Sequence, residues 1–303
     1  MMKLVKLQPA VLDKLWGGTK LFSWGKQTDK DNIGETWELS FYRDFPSLVA
    51  SGKHAGSPLF SVAKSEDLGT SVTRFPIFPV LVKFIDSKED LSVQVHPADA
   101  FALEHEHELG KTEMWHILEA DKSAGIYLGF KKDTNEEEFR KAVANCRVMD
   151  LLNFIPVHPG EDYFIPSGTI HAIGAGVTLI EIQQNSNITY RLYDYDRPDA
   201  SGKKRELHLD KGCAVLNYHK FEPTVFTKPL LGKCDYFAAY LYPVSDGEVV
   251  ATPSSFKAIS FVSGSGYIDE FQFSKGDTFF LPAGQSCHIK GKGEMVITEV
   301  PEK

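Results

Sequence analysis

The sequence lacks the marks of several large classes of protein. Its four cysteines, Cys146, Cys213, Cys234 and Cys287, form no CxxC pair, which argues against a thiolate zinc site and a thioredoxin-type motif. The opening residues contain no apolar signal-peptide core, and the uncharged stretch 163–180 is interrupted by a proline and three glycines. We therefore expect reduced thiols, no membrane partner and a cytoplasmic protein.

A surplus of basic residues is also absent. Lys plus Arg total 33 against 41 Asp plus Glu, a net charge of −8, which disfavours a nucleic-acid partner. An anionic substrate would need a local cluster of positive charge. With 42% hydrophobic and 24% charged residues in 303, the chain is long enough for one large folded domain or two ordinary ones.

Short apolar or alternating segments, separated by glycine, proline and aspartate, predict a mainly β protein. The clearest strand candidates are 76–85, 91–96, 178–183 and 258–262. Residues 134–152 differ, because apolar positions recur there at helical spacing after an acidic first turn with Thr134 as N-cap. We predict a small helical insertion there and a second helix over 98–109.

Two stretches repeat each other. Residues 160–171 (GEDYFIPSGTIH) and 276–288 (GDTFFLPAGQSCH) share a glycine, a proline and a second glycine at the same offsets. The first copy fits a G-x5-P-x-G-x2-H pattern and resembles the second signature of the cupin superfamily. The second copy places its histidine, His288, one residue later. The resemblance implies two cupin (jelly-roll) barrels in one chain.

We predict a boundary between these barrels at 222/223. Residues 1–222 would form a metal-binding catalytic barrel that carries the helical insertion near 134–152, and 223–303 a degenerate barrel without metal. No histidine occurs between Asp235 and Cys287, so the second barrel can hardly repeat the same site, and we interpret His288 as structural.

Four residues have the spacing and chemistry of a metal site. Gln94 and His96 lie two apart in an alternating stretch and so share one strand face. Glu113 begins another candidate strand, and His171 ends the first repeat. Two imidazoles, a carboxylate and an amide oxygen suit one Zn²⁺ per chain, and Mn²⁺ or Fe²⁺ also fit.

His105 and His107 form an HxH pair, the commoner ligand pair among cupins. Their surroundings, EHEHELG, are mostly charged and predict a helix or a solvated loop. Because residues two apart on a helix point in different directions, we do not assign them as ligands. A role in a loop over the site stays open.

Several longer segments together resemble one enzyme family. They are WGGTKL, GETWELS, FPVLVKFIDSKEDLSVQVHPADAFA, GKTEMWHIL and IPSGTIHAIGAGVTLIEIQQNSNITYRLYDYDR, in this order along most of the chain. The sequence resembles type I mannose-6-phosphate isomerase in its short bacterial form. That resemblance implies zinc and the reversible interconversion of mannose 6-phosphate and fructose 6-phosphate.

The family's metal ligands fall on the same four residues that spacing selects. Its K-P-E lysine falls on Lys111, with Thr112 in place of the proline, and its late arginine falls on Arg191. Gly110 stands where many longer members have histidine, and Asn187 where the family has an aspartate. The roles of that histidine and of that aspartate as a base therefore do not transfer, and Asn187 is retained as a substrate contact.

Aldose–ketose isomerisation moves a proton between two carbons through a cis-enediol. It needs a polarised carbonyl, a base and a cation beside the developing charge. We assign Lys111 to substrate contact or proton handling and Arg191 to charge stabilisation. Glu181 is a further candidate base, although it could equally pair with a lysine or arginine.

The phosphate is harder to place, since no P-loop or Rossmann glycine pattern occurs. Ser92 shares a face with the candidate ligands, and Lys83 is an unusual charge on an apolar strand. Trp16 is a candidate floor for the sugar, whereas Trp37 reads as a core residue and Glu38 stays unassigned.

Two other classes stay open, a metal-dependent cupin enzyme such as a dioxygenase and a non-catalytic sugar-binding cupin. The dioxygenases typically show an HxH-plus-carboxylate or three-histidine set, whereas this chain has QxH. Metal content measured alongside sugar-phosphate binding would separate the three. The oligomeric state is not readable from the sequence.

Overall fold

A computed structural model describes residues 2–198 and 202–303. Strands dominate this part of the chain, as expected. They are β1 Val5–Gln8, β2 Ala10–Leu12, β3 Glu35–Leu39, β4 Leu48–Val49, β5 Val80–Ser87, β6 Val93–Val95, β7 Glu113–Ala120, β8 Gly125–Phe130, β9 Leu152–Pro156, β10 Asp162–Ile165, β11 His171–Ile173, β12 Val177–Gln184, β13 Tyr190–Tyr193, β14 Leu230–Lys233, β15 Ala238–Pro243, β16 Gly247–Val250, β17 Lys257–Ile268, β18 Phe271–Ser274, β19 Thr278–Leu281 and β20 Ser286–Glu299.

Helices are few and short in the described residues. The α-helices are α1 Leu59–Val62, α2 Ser65–Leu68, α3 Asp99–His105, α4 Glu136–Ala144 and α5 Leu209–Val215, and the 3-10 turns are Lys20–Trp24, Gly52–His54 and Val148–Leu151. No helix among these residues is long and apolar enough to cross a membrane.

The strands form three sheets. One has six strands in the order β10-β7-β12-β5-β3-β2, and one has five in the order β13-β6-β11-β8-β9. The third has nine, with the path β14-β15-β20-β17-β19-β1-β4 and with β16 and β18 pairing with β20 and β17. The mainly β class is confirmed, while the division into two barrels stays a prediction.

The six-stranded sheet is covered on both faces. One face packs on the five-stranded sheet through a shared apolar cluster that includes Ile85, Trp115, Ile117, Ile126, Leu128, Ile173 and Leu179. The other face packs on the nine-stranded sheet through Val82, Phe84, Ile180, Ile182, Ala258, Phe280 and Val296. Strands buried on both faces read as continuous apolar runs. This explains why every residue of β5 and β12 is buried, charges included.

The predicted strand over 76–85 begins only at Val80. Pro79 immediately precedes it and lacks the amide hydrogen that a sheet ladder uses. The other three strand candidates fall on β6, β12 and β17.

The helical insertion is present as α4 followed by a 3-10 turn, but its N-cap is Asn135 and not Thr134. The Asn135 side chain accepts the backbone N–H of Glu138 at 2.9 Å, whereas the Thr134 hydroxyl donates to the Glu138 carboxylate at 2.8 Å. A side-chain oxygen that accepts the backbone N–H three residues later is the usual N-cap bond, and Asn135 makes it. Phe139 and Val143 bury the inner face of the helix. The second predicted helix is α3.

The sequence repeat has the same backbone in both copies. Its glycines have positive φ at all four positions, Gly160, Gly168, Gly276 and Gly284, a conformation that glycine adopts without steric cost. Each copy is a strand, a turn and a second strand.

The histidines of the two copies differ in direction. His171 is fully buried. His288 is shifted by one residue, so it occupies the opposite strand face, where it is exposed and pairs with Asp246 at 2.7 Å. Cys287 takes the buried position instead.

The nine-stranded sheet joins both ends of the chain. Its strand β19 pairs with β1 in the register Val5–Phe280 and Lys6–Phe279, and β1 pairs in turn with β4. Residues from both sides of the predicted boundary at 222/223 therefore contribute strands to this one sheet. The boundary stays a prediction.

Candidate metal centre and substrate cavity

Three of the predicted ligands meet in the interior. His96 follows β6, Glu113 begins β7 and His171 begins β11, and their ligand atoms lie within 4.8 Å of one another. His96 Nε2 is 3.6 Å from Glu113 Oε2, and His171 Nε2 is 3.4 Å from Glu113 Oε1. All three side chains are at most 2% exposed. β7 belongs to the six-stranded sheet, and β6 and β11 belong to the five-stranded sheet. The packing of these two sheets therefore brings the three side chains together.

Backbone carbonyl groups orient both imidazoles. His96 Nδ1 lies 2.7 Å from the Ile188 carbonyl, and His171 Nδ1 lies 2.9 Å from the Thr169 carbonyl. A carbonyl accepts only, so each Nδ1 carries the proton and each Nε2 presents a lone pair. This is the usual outer support of metal-bound histidine.

The electrostatics of the site keep both imidazoles unprotonated at Nε2. Burial, and then the Lys111 ammonium, hold the pKa of His96 well below its ordinary value and lower the pKa of His171 to about 4. Both imidazoles are therefore neutral near pH 7. Burial and Glu181 raise the pKa of Glu113 to about 7, and Lys111 opposes that rise.

The cluster fits a small divalent cation. Metal–ligand bonds of about 2.1 Å in a tetrahedral site place ligand atoms roughly 3.4 Å apart, close to the two separations at Glu113. Glu113 Oε1 is buried and has no hydrogen-bond partner among the described residues. The ammonium of Lys111 contacts His96 Nε2 at 3.0 Å and also Glu113 Oε2, so this point already attracts a positive charge.

Gln94, on β6 of the five-stranded sheet, lies next to this cluster. Its side-chain amide is 3.3 Å from His171 Nε2, and it is the register partner of His171 on one side and of Arg191 on the other. Directly opposed residues project from the same sheet face. At about 4.8 Å per strand, this row places Arg191 roughly 10 Å from His171.

A cavity of about 300 Å³ lies beside the cluster. It is lined by Lys14, Trp16, Glu35, Lys83, Ile85, Leu91, Ser92, Gln94, Lys111, Ile173, Glu181, Asn187, Thr189, Arg191 and Arg205. Five of these side chains are cationic and two are carboxylates. The local surplus of positive charge contrasts with the net −8 of the chain.

One wall of the cavity is a buried ion network. Lys83 on β5 and Glu181 on β12 are register partners, with Nζ and Oε1 3.3 Å apart, and Lys83 also lies 3.7 Å from Glu35. Glu181 Oε2 accepts the Trp115 indole N–H at 2.9 Å. Burial raises the pKa of Glu181, but Lys111 and Lys83 outweigh it and leave the pKa lowered. Glu181 is thus both an ion-pair partner and an ionised carboxylate facing the cavity.

Arginines gather at the other end. Asp194 accepts two bonds from Arg205, at 2.6 and 2.7 Å, and one from Arg197 at 2.8 Å. Arg191 instead donates to the Glu206 carbonyl at 3.0 Å, and its buried Nε has no partner among the described residues. Among the described contacts Arg191 therefore makes no hydrogen bond to Asp194, which bonds Arg197 and Arg205 instead.

The chain is similar to known proteins over almost its whole length. It is 35% identical over 309 residues to the mannose-6-phosphate isomerase ManA of Bacillus subtilis (strain 168), a match that covers 97% of this chain and 98% of the relative. The chain belongs to the mannose-6-phosphate isomerase family. It is therefore an isomerase.

Structural comparison agrees with this family. The crystal structure of the mannose 6-phosphate isomerase from Bacillus subtilis superposes with a TM-score of 0.87 at 32% identity, over 98% of this chain and 99% of that one. The family model "Mannose-6-phosphate isomerase, cupin domain" matches residues 228–300. A mannose 6-phosphate isomerase described as holo and zinc bound shares the fold at 17% identity, with a TM-score of 0.78 over 99% and 100% of the two chains.

Most residues predicted for this isomerase site lie together. The cavity lining includes the predicted Trp16, Ser92, Gln94, Lys111, Glu181, Asn187 and Arg191. Lys83 points into the same cavity, and Trp37 is a core residue that is 1% exposed. Their individual roles stay predictions.

The HxH histidines are not part of the metal cluster. His105 ends α3 and stacks on Phe101 with ring centroids 4.0 Å apart, and His107 sits in a turn with φ of 59°. Both are exposed, as the charged surroundings indicated.

Sequence reasoning missed four polar lining residues, Lys14, Glu35, Thr189 and Arg205. A signal for Glu35 was present, because it lies two residues before Trp37 and so shares its strand face. The acid singled out nearby, Glu38, faces the other way and pairs with Lys26 at 2.6 Å. Lys14 and Arg205 lie outside regular strands, where no periodicity marks a face.

Proposed function

We propose that this isomerase interconverts mannose 6-phosphate and fructose 6-phosphate, with one Zn²⁺ per chain held by His96, Glu113 and His171 and with Gln94 as a further ligand. The observation that carries the proposal is the junction of a buried His–Glu–His cluster with a cavity rich in positive charge. The names of the relatives supply mannose 6-phosphate, and the family resemblance implies fructose 6-phosphate as its partner in the reaction. Cytoplasmic location and the absence of nucleic-acid and membrane partners stay predictions.

The row of residues that leads from the metal cluster into the cavity suits a hexose phosphate. The row from His171 through Gln94 to Arg191 spans roughly 10 Å, which suits a sugar with its reacting end at the cluster and its phosphate at the arginine end. Arg191 and Arg205 can donate several N–H bonds to phosphate oxygens. Trp16, Ser92 and Asn187 line the space between.

The chemistry divides between these ends. A bound zinc ion would supply Lewis-acid polarisation or orientation of a sugar oxygen. Lys111 donates N–H bonds and positive charge beside the reacting oxygens, which favours the enediolate. The Glu181 carboxylate, kept ionised by Lys111 and Lys83, accepts the carbon-bound proton. In this arrangement Lys111 supplies the charge beside the cis-enediol, and Arg191, which the sequence assigned to that charge, is proposed instead for the phosphate end.

A coupled assay tests this proposal. Purified protein is assayed for conversion of mannose 6-phosphate to fructose 6-phosphate before chelation, after chelation and after zinc is restored, with metal content measured each time. We expect turnover that chelation abolishes and zinc restores. Full turnover without metal would refute the zinc role. Bound zinc without turnover would refute the substrate pair and favour another metal-dependent cupin reaction.

His171→Ala with His288→Ala as matched control locates the metal. The two histidines occupy corresponding repeats, but only His171 is buried in the cluster. We expect His171→Ala to lose zinc and turnover and His288→Ala to keep both.

A further inference from the structure

The backbone around Lys111 is fixed at three consecutive amides. Each donates to a different acceptor: Gly110 to Asp99 Oδ1 at 2.7 Å, Lys111 to the Pro97 carbonyl at 3.0 Å, and Thr112 to Gln184 Oε1 at 2.7 Å. The segment precedes β7 and so lacks the support of a sheet ladder. Its position depends on these bonds.

Two of the three acceptors are linked to each other. Gln184 Nε2 donates to Asp99 Oδ1 at 2.9 Å, and the Gln184 backbone N–H donates to the Thr112 carbonyl at 3.0 Å. The amide side chain of Gln184 is thus held at both ends. Asp99 and Gln184 therefore hold, by hydrogen bonds, the residues on either side of Lys111. We call this set of bonds the backbone clamp.

Gly110 lets this segment lie directly on the start of α3. A Cβ at this position would be 2.6 Å from the Asp99 backbone nitrogen and 2.7 Å from Pro97 O, closer than van der Waals contact allows. The neighbouring atoms are backbone, which cannot turn aside. Any side chain here would therefore push Lys111 away from its present place.

Asp99 also reaches the C-terminal part of the chain. Its second oxygen, Oδ2, accepts a hydrogen bond from the Tyr236 hydroxyl, which lies between β14 and β15 of the nine-stranded sheet. Tyr236 itself packs on Phe75 at 5.0 Å between ring centroids. One carboxylate therefore accepts three donors from three parts of the fold, and bonds to a charged acceptor are the stronger kind.

We propose that Asp99 is a positioning residue for Lys111. It holds the 110–112 backbone through Gly110 and Gln184, and Tyr236 anchors it to the C-terminal sheet. This keeps the Lys111 ammonium at the metal cluster and the cavity. The inference rests on the proposed function for the role of Lys111, but the backbone clamp itself does not.

The test compares zinc-loaded Asp99→Ala with Asp99→Asn, and with Glu104→Ala as control on the exposed side of α3. Alanine removes every acceptor, whereas asparagine retains one oxygen for Gly110 and Gln184. Amide hydrogen exchange over 110–112 reports the clamp. Zinc content, kcat and KM report the site.

We expect Asp99→Ala to exchange these amides about tenfold faster and to lose about tenfold in kcat, with KM and zinc content nearly unchanged. Asp99→Asn should recover most of both losses, and Glu104→Ala should match wild type. If Asp99→Ala does not fold, Tyr236→Phe removes one donor only. It should give a smaller change in the same direction.

Three outcomes would overturn the proposal. They are unchanged exchange in Asp99→Ala, faster exchange with unchanged kcat, and loss of zinc together with kcat, which would make Asp99 a support of the metal and not of Lys111. Failure of the proposed function is separate. Wild type would then show no sugar-phosphate turnover, while hydrogen exchange would still decide whether the clamp exists.

Discussion

Replacing Lys83 by methionine tests whether one ammonium stabilises two buried carboxylates. Lys83 is 5% exposed, with Nζ 3.3 Å from Glu181 Oε1 and 3.7 Å from Glu35 Oε2. Methionine keeps most of the apolar stem and removes the charge, together with the cation–π contact that the Lys83 ammonium makes with the Trp37 ring at 4.9 Å. Removing one partner of a buried ion pair costs about 3–5 kcal/mol, because the remaining charge stays desolvated. We expect a loss of that size at pH 7.

The pH dependence gives an independent check. Burial raises the pKa of Glu35, but Lys83 and Lys14 outweigh it and lower the pKa from its ordinary 4.5 to about 2. A lowering of that size corresponds to about 3 kcal/mol. Because the folded-state pKa lies below the unfolded one, this stability is complete above pH 4.5 and is lost as the pH falls toward 2. Lys83→Met lacks most of this pH-dependent stability. The difference in unfolding free energy between wild type and Lys83→Met should therefore become smaller as the pH falls.

The assay is urea unfolding of metal-free wild type and Lys83→Met at pH 7 and at several lower values, since bound metal would itself shift the midpoint. Lys83→Met with Glu35→Gln, which removes one orphaned charge, should recover part of the loss. Equal midpoints at pH 7, or a gap that widens on acidification, would refute the reasoning.

Four further predictions concern single sites. His96→Ala should lower bound zinc and turnover together, each by roughly 100-fold or more, since a first ligand matters at least as much as its outer support; metal analysis and the coupled assay measure this. Lys111→Ala should retain zinc while kcat falls by about 10²–10⁴, measured at saturating sugar phosphate. Arg205→Ala should raise KM for the phosphorylated sugar about tenfold, measured by steady-state kinetics. Asn135→Ala should cost about 1 kcal/mol of stability without changing kcat, measured by urea unfolding and assay.

Each of these has a contrary result. Stoichiometric zinc with full activity in His96→Ala contradicts the ligand assignment, and unchanged kcat in Lys111→Ala makes that lysine a structural cation. An unchanged KM in Arg205→Ala removes it from the phosphate end. Wild-type stability in Asn135→Ala would mean that α4 is held by tertiary packing alone.

The metal cluster was accessible to sequence reasoning because its parts carry local signals. Alternation over 91–96 indicates the direction of His96, although the strand itself ends one residue earlier. The repeat fixes His171 by glycine and proline positions that demand one turn geometry. The same repeat supplies its own control, because a one-residue shift turns His288 outward. Family resemblance then agreed with spacing at Glu113.

Other features depend on contacts that no local pattern encodes. Arg205 lines the cavity and pairs with Asp194, which lies 11 residues earlier in the chain. The predicted N-cap, Thr134, is one residue away from the actual N-cap, Asn135. Thr and Asn are both good N-cap residues, and only the backbone path into the helix decides between neighbours. The pairing of β1 with β19 joins opposite ends of the sequence, which periodicity does not reach.

That last pairing has a consequence for how the protein is made. During synthesis β1 leaves the ribosome first, yet its partner β19 is among the last segments to appear. Until then β1 presents an unpaired edge, the kind of surface that invites wrong partners, and its contact is of very long range and therefore slow to form. Completion of the nine-stranded sheet must await release of nearly the whole chain. A chain that stalls before residue 278 would keep every predicted ligand of the metal cluster and still lack β19, one of the two strands that pair with β1.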